Sequence, residues 1–338
     1  MATYGVGVYG VGAAGGEYIR VLKNHPLTNI VAAVGRDPKL TAKRLAEMDV
    51  SCEVMESYQA LVDRDDVQIM VITAPHPLHA SAAIQAARRG KHLMVEKPIG
   101  MTLEEMSLVR RAIEEKGVKS QCGMVLRWDP FISNIKNLIE RGVLGRIFYV
   151  EVDYFHELGP WWNGFSWNVH RESGGPSASL VGGIHAADLM RWFAGDVAEV
   201  SSYGTHGHRS DFEYEPTYVA AVKFASGAVG KTGCSYEVKS PYFINVLVYG
   251  SKGSVVNDRF FIKDLFPGQT GWQRFETIVP GSGSVTHHRF KELVDDFLDA
   301  LETDREPCVG IAETYKTHEL CVAITRSMKS GQPVALPL

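Results

Sequence analysis

The segment "YGVGVYGVGAAGGEYIRVL", residues 4 to 22, runs from an apolar strand through three spaced glycines into a helical pattern. Gly10, Gly12 and Gly15 stand in the GxGxxG spacing. In a strand-to-helix turn the first glycine permits a tight bend, the second lets the backbone approach a pyrophosphate, and the third lets helix and strand pack closely. The helix that follows presents unpaired N–H groups to an anion. The loop Gly10, Val11, Gly12, Ala13, Ala14 and Gly15 therefore reads as a dinucleotide site, and it commits the start of the chain to a parallel α/β sheet.

The next hundred residues keep that rhythm. "NIVAAVG", "VQIMVITA", "KHLMVEK" and "VKSQCGMV" read as further strands. Between them lie helices expected over 15–23, 38–48, 78–89 and 103–116, the last two closed by Gly90 and Gly117. Leu103, Met106, Val109 and Ile113 fall three and four apart, so one face of their helix is buried. A dinucleotide-binding Rossmann domain is expected over 1–125, leaving 126–338 for a second domain. At 338 residues and 45% hydrophobic content the chain has material for two cores. The second region holds the strand-like runs "RIFYVEVDY", "YVAAVKF" and "YFINVLVYG", a Gly/Ser loop "VPGSGSV", an apolar stripe from Phe290 to Leu301 and a last helix over 311–328.

Charge and cysteine usage narrow the function. A net charge of −4, from 35 basic and 39 acidic residues with no long basic run, argues against nucleic acid as a partner. Five scattered cysteines without a CxxC pair are expected as free thiols in a reducing compartment. The opening "MATYGVGVYG" lacks a basic flank and a long apolar stretch, and no run reaches membrane-spanning length. A cytoplasmic protein without membrane partners is expected. No HExxH or Cys/His cluster suggests a metal.

The end of the second strand bears on which dinucleotide is bound. NAD-binding domains usually place a carboxylate there for the ribose diol, whereas this chain reads "VGRDP". Gly35 leaves room for a 2′-phosphate and Arg36 could pair with it. Alternatively Arg36 stacks on adenine or faces water, and Asp37 caps the helix that opens with Pro38. NADP(H) is the expected cofactor, with NAD(H) also open.

"VEKPIG", residues 95 to 100, closes another strand of this sheet. Ligands bind outside the carboxyl ends of such strands, which directs Lys97 to the cofactor crevice rather than to bulk water. Together with "VITAPHPLH" at 71–79 and "GGIHAADLMRWFAGD" at 182–196, this stretch resembles the glucose–fructose oxidoreductase, inositol dehydrogenase and MocA-type family. "RGVLGRIFYVEVDY" and "SMKSGQPVALPL" extend the resemblance over almost the whole chain. It implies an N-terminal Rossmann domain, a C-terminal α+β domain on an open, mostly antiparallel sheet whose exposed face forms oligomer contacts, and a homo-oligomer, dimer or tetramer. It also implies an NAD(P)-dependent dehydrogenase or reductase acting on a ring hydroxyl or keto group of a sugar, glycoside or cyclitol.

On that resemblance Lys97 stabilises the reacting oxygen and His185 accepts the hydroxyl proton. Ala74, Pro75, His76, His79, Glu96 and Lys97 join Arg36 and Asp37 around the cofactor. Arg127, His156, Trp167, Arg171 and Tyr236 join Lys97 and His185 as substrate contacts. One position departs from the family: Val181 stands where many members carry an aspartate four residues before the histidine. Asp188 or Lys97 is then the alternative support for His185, while Asp188 reads equally well as a structural anchor. Two other readings stay open: cleavage of a glycoside through transient oxidation at C3 and elimination with a recycled cofactor, and a non-catalytic NAD(P)-dependent sensor. Intact "EKP" and His185 argue against the sensor.

Overall fold

The computed structural model describes residues 3–162, 164–276 and 288–338, so the Gly/Ser tract "VPGSGSV" lies outside the described residues. Backbone contacts divide the chain into two units: Met1–Met124 with Arg289–Tyr315, and Val125–His288 with Lys316–Leu338. Residues 289–315, which include the first turn of the last helix, thus belong to the first unit.

The first unit contains β1 (Tyr4–Tyr9), α1 (Ala13–Leu22), β2 (Thr28–Val34), α2 (Pro38–Glu47), β3 (Glu53–Val54) and α3 (Tyr58–Val62). It continues through β4 (Ile69–Ile72), α4 (His79–Arg88), β5 (His92–Val95), α5 (Leu103–Lys116) and β6 (Ser120–Cys122). The strands form one parallel sheet in the order β3-β2-β1-β4-β5-β6. The order reverses between β1 and β4, the switch point at which doubly wound sheets bind nucleotides. All four residues of β4 are buried, because helices cover both faces; hence the unbroken apolar run in the sequence. Thr102 and Glu105 close a capping box at the start of α5, and Gly117 ends that helix in the left-handed region at φ 63°. The helix Phe290–Glu302 packs onto this unit through the edge-on contact of Phe290 with Tyr18, centroids 5.1 Å apart. Gln121 Nε2 also donates to the Leu293 carbonyl over 3.0 Å.

The second unit contains α6 (Pro130–Glu140), β7 (Ile147–Phe155), α7 (Phe165–Asn168), α8 (Ala178–Val181), α9 (Ile184–Ala194) and β8 (Val197–Thr205). Then come β9 (Thr217–Phe224), β10 (Val229–Ser235), β11 (Phe243–Gly250), β12 (Ser254–Val256), β13 (Arg259–Phe261), β14 (Gln273–Arg274) and β15 (Val334–Ala335). Its sheet runs β14-β13-β12-β11-β7-β10-β9-β8-β15, antiparallel at every pairing except the central β7–β10. Along β7, Val150, Val152 and Tyr154 point to the buried face, where α9 packs. The last helix, Ile311–Ser330, joins that face where Ser202 Oγ donates to the Ile324 carbonyl over 2.6 Å.

The opposite face carries a polar cluster. Lys231 Nζ lies 2.8 Å from Glu151 Oε1 and 2.9 Å from Asp153 Oδ2, and Asn245 Nδ2 donates to the same two oxygens over 3.0 and 3.1 Å. Burial lifts the Asp153 carboxyl from 3.8 to about 6 despite Lys231 and Asn245. Burial acts the same way on Glu151, but there the bonds from Lys231 and Tyr149 prevail and its pKa is lowered.

The raised value of Asp153 sets a sign. Between pH 3.8 and about 6 the folded chain holds a proton that the unfolded chain has released, so this group's stabilisation is lost as pH rises through that window. Asp153→Asn removes the ionisation. Its Tm relative to the parent chain is expected to be roughly 2–4 °C more favourable at pH 7.5 than at pH 5. Thermal melts of both chains at the two pH values test this; a pH-independent difference contradicts it.

Candidate active site

In the first unit the glycine loop has the form a dinucleotide needs. Gly10 adopts φ 104°, and a Cβ there would lie 2.5 Å from the Thr73 carbonyl carbon, so neither the conformation nor the approach of the two loops tolerates a side chain. Thr73 Oγ1 donates to the Gly10 carbonyl over 2.6 Å. Gly12 is the N-cap of α1 and brings no side chain to the first-turn amides; the space that its Cβ would occupy is open, and that turn holds no acidic residue. These features fit a bound pyrophosphate. Arg44 on α2 donates from Nη1 to the Val11 carbonyl over 2.7 Å, tying that helix to the loop.

At the end of β2, Asp37 is the N-cap of α2, its Oδ1 accepting from the amides of Lys39 (2.8 Å) and Leu40 (3.1 Å). That role leaves the exposed Arg36 as the nearest charged side chain after Gly35. A Cβ at Gly35 would meet Thr41 Oγ1 at 2.2 Å, and that hydroxyl donates to the Asp37 carbonyl over 2.7 Å.

Beyond β4 and β5 the cofactor candidates separate into inward and outward groups. Ala74 and His76 are buried and Pro75 is exposed. His79, 1% exposed, sets Nδ1 2.7 Å from the Pro98 carbonyl oxygen and Nε2 2.6 Å from that of Ala74. Burial pushes its pKa down, opposed by the carbonyls of Pro98, Ala74 and Glu96. Both ring nitrogens of His79, expected beside the cofactor, lie against backbone carbonyls of two loops. Glu96 is buried as well, with the Tyr18 hydroxyl 3.3 Å from Oε1 and the Lys97 amide 3.2 Å from Oε2. Burial raises its pKa, against the pull of Lys97, the Lys97 amide and Tyr18. Lys97 is half-buried and its peptide bond to Pro98 is cis.

In the second unit His185 occupies the first turn of α9, 2% exposed, stacked on Tyr154 with centroids 6.0 Å apart and 5.9 Å from the ring of His288. Tyr242 packs edge-on against Tyr154 and His156, at 5.2 and 5.5 Å. A hollow of about 400 Å³ adjoins this cluster, lined by His156, Trp161, Lys239 and Tyr242 among others. Such walls suit a pyranose or cyclitol ring, with C–H faces against aromatics and hydroxyls against His and Lys. Among the described residues, no group of three or more His, Cys, Asp or Glu is placed to hold a metal.

Three expected substrate contacts are instead tied to their own chain. Arg127, 3% exposed, forms a two-pronged pair with Asp188, Nε to Oδ2 and Nη2 to Oδ1, both 2.7 Å. Asp188 Oδ1 also accepts from Thr317 Oγ1 over 3.1 Å, which anchors α9 through Asp188. The Tyr236 hydroxyl accepts from the Gly182 amide over 2.6 Å and donates to the Ala178 carbonyl over 3.3 Å, holding the turn that leads to His185. Arg171 donates from Nε to the Glu213 carbonyl (2.6 Å) and from Nη1 to that of Pro176 (2.8 Å), fastening an exposed loop. Trp167 lies half-buried on α7, and its carbonyl accepts from Ser173 Oγ over 2.7 Å. Sequence reasoning missed Tyr154, Tyr242 and His288. Strand alternation along β7 could have pointed to Tyr154, which shares a face with Val150 and Val152; His288 carries no local signal.

Comparison with known proteins agrees with both halves. Residues 4–124 match the model of the oxidoreductase family's NAD-binding Rossmann fold, and residues 136–336 match that family's C-terminal alpha/beta domain. The chain is 25% identical over 345 residues to scyllo-inositol 2-dehydrogenase (NAD(+)) of Bacillus subtilis (strain 168), covering 97% of this chain and 95% of the relative. It is 27% identical over 268 residues to the 2,7-anhydro-N-acetylneuraminate hydratase of Mediterraneibacter gnavus, covering 76% and 68%. A levoglucosan dehydrogenase in complex with NADH has the same fold, with a TM-score of 0.89 at 20% identity over 99% of both chains.

The Arg127–Asp188 pair generates a stability test. Removing one member of a buried ion pair leaves an uncompensated charge, whereas replacing both with apolar residues removes the desolvation penalty too. Arg127→Met alone is expected to cost about 3–5 kcal/mol, and Arg127→Met with Asp188→Leu far less. Thermal melts of the two variants decide it; a double variant as unstable as the single one contradicts the assignment.

Proposed function

The chain belongs to the glucose–fructose oxidoreductase, inositol dehydrogenase and MocA-type oxidoreductase family, and from that membership we propose that its substrate is a sugar, glycoside or cyclitol bearing a ring hydroxyl or keto group. It is an NAD(P)-dependent dehydrogenase by family, and the observation that carries the substrate class is the aromatic and histidine cluster beside a polar-edged hollow in the second unit. The relatives named for inositol and levoglucosan support the same class.

When bound, the nicotinamide supplies the hydride acceptor or donor. Lys97 provides a positive charge for the reacting oxygen, and His185 takes or returns the hydroxyl proton. Tyr154 and His288 orient the imidazole of His185, and Tyr236 fixes the turn before it. The enzyme is read as a cytoplasmic homo-oligomer: the five cysteines are free, and Phe148, Tyr203, Val219 and Val229 are exposed on the sheet strands of the second unit. Among the described residues no helix is long and apolar enough to cross a membrane.

For the cofactor, NADP(H) is the favoured partner, with NAD(H) accepted. Asp37 serves as a helix cap, Gly35 offers no carboxylate, and Arg36 and Arg44 lie nearby in sequence and on the glycine loop respectively. A second reading keeps the same residues but returns the hydride to the product after elimination, as the relationship to a hydratase suggests. Cofactor retained through purification, with product formed and no net change in nicotinamide absorbance, would identify that course.

Two experiments test these assignments. Lys97→Ala should retain cofactor binding and lower turnover about 10²- to 10⁴-fold on a panel of sugars, glycosides and cyclitols followed at the nicotinamide band. Near-normal turnover would sink the role of Lys97. Gly35→Asp alone should be destabilised by its encounter with Thr41 Oγ1, whereas Gly35→Asp with Thr41→Ala should fold and shift kcat/KM toward NAD(H) by about tenfold or more. A parent enzyme that already prefers NAD(H) strongly contradicts the cofactor reading.

A further inference from the structure

We propose that His79 is a positioning residue that ties the loop carrying Lys97 to the loop that follows β4, its one rigid ring set between a carbonyl oxygen of each. The inference rests on the reading of Lys97 as the group at the reacting oxygen. Its basis is a juxtaposition: within one buried side chain, Nδ1 reaches the Pro98 carbonyl at 2.7 Å and Nε2 the Ala74 carbonyl at 2.6 Å. Pro98 directly follows Lys97, and Ala74 lies two residues beyond the end of β4.

Both partners are acceptors, so the neutral ring, with its single N–H, donates to one carbonyl at a time, and only the imidazolium, which burial opposes, bonds both. Ala74 and Pro98 lie beyond the last backbone link between the paired strands β4 and β5, the Glu96 amide to the Ile72 carbonyl over 2.9 Å. The rest of the Lys97 loop is fastened on either side. Glu96 Oε2 accepts the Lys97 amide over 3.2 Å, and Glu105 Oε2 accepts the amides of Met101 and Thr102 over 2.7 and 3.2 Å. The Pro98 carbonyl lies between those two points, and His79 is what holds it. A lysine side chain transmits any shift of its backbone to its ammonium, and a misplacement of about 1 Å at a reacting centre can cost on the order of 10²-fold in rate.

The two contacts can be separated chemically. The amide nitrogen of asparagine falls near the place of Nδ1, and that of glutamine near the place of Nε2. His79→Asn therefore keeps a donor for Pro98, and His79→Gln keeps one for Ala74. In the full-length enzyme, His79→Gln is expected to lower kcat about 10- to 10²-fold and to leave the cofactor Kd, read by nicotinamide fluorescence, within about threefold. His79→Asn is expected to retain most of kcat and to weaken cofactor binding about tenfold, since the loop after β4 lies at the nucleotide end of the sheet. Circular dichroism and Tm establish that each variant is folded. The proposal is overturned if the two variants lose kcat and cofactor affinity in equal proportion, tracking lost Tm, or if both keep parental values. Lys97→Ala run alongside separates the two levels of argument. An active Lys97→Ala removes the reading on which the proposal stands, whereas an inactive one beside a fully active His79→Gln removes the proposal alone.

Discussion

The carboxylate of Glu96 is buried at the end of β5, against a glycine, and the geometry around Lys97 depends on it. A Cβ at Gly123 would lie 2.3 Å from Glu96 Oε1, so the end of β6 must lack a side chain for the carboxylate to fit. Taking a carboxylate out of water costs several kcal/mol unless charge or hydrogen bonds compensate. Here the neighbouring ammonium of Lys97, its amide and the Tyr18 hydroxyl offset part of that penalty, and the raised pKa of Glu96 records what burial leaves over. Tyr18 belongs to α1, the helix that opens at the glycine loop, so one carboxylate joins the phosphate-binding turn to the strand end that presents the lysine. Successive residues of an extended chain face opposite sides. Glu96 is buried while the adjacent Lys97 is half-buried.

The second unit solves a similar problem with a different device. Arg127 and Asp188 are both buried, and the pair sits one turn after His185 on α9. Residues three apart share a helix face, so anchoring Asp188 also sets the rotation of the helix at His185. Thr317 and Arg191 extend the anchor: Arg191 Nη1 donates to Thr317 Oγ1 over 2.9 Å, and its Nη2 donates to Asp196 over 2.8 Å. A buried pair of this kind contributes little net stability compared with apolar packing, but it tolerates only one geometry.

The nucleotide-binding half was legible in the sequence because its signals are local. Period-two and period-3.6 apolar patterns, Gly117 as a C-cap and the GxGxxG turn each act within a few residues. Only β3, two residues long, and α3, five residues long, were too short to leave a periodic trace. In the second half β8 and β10 were missed, since "VAEVSSYGT" and "VGKTGCS" carry small and polar residues despite their places within the sheet. Their strand character comes from tertiary pairing, β10 being held between β7 and β9. The structural roles of Arg127 and Tyr236 were hidden for a related reason. Their partners lie 61 and 54 residues away, and no spacing rule links positions so distant.

Val181 shows how the departure from the family pattern is absorbed. It is buried, 6% exposed, at the end of α8, where an aspartate would bring a charge into an apolar and aromatic setting. The oxygens of Asp188 accept from Arg127 and Thr317. The orientation of His185 is supplied by packing: Tyr154 stacks on its ring at an interplanar angle of 26°, and His288 closes from another direction. Aromatic contacts of this type contribute about 0.5–1.5 kcal/mol beyond the area they bury, enough to select one ring orientation among the staggered alternatives. The Tyr236 hydroxyl completes the arrangement by fixing the Gly182 amide, three residues ahead of the imidazole. Ring packing and a backbone clamp thus surround His185 and the turn before it, with Val181 at the position where many family members carry an aspartate.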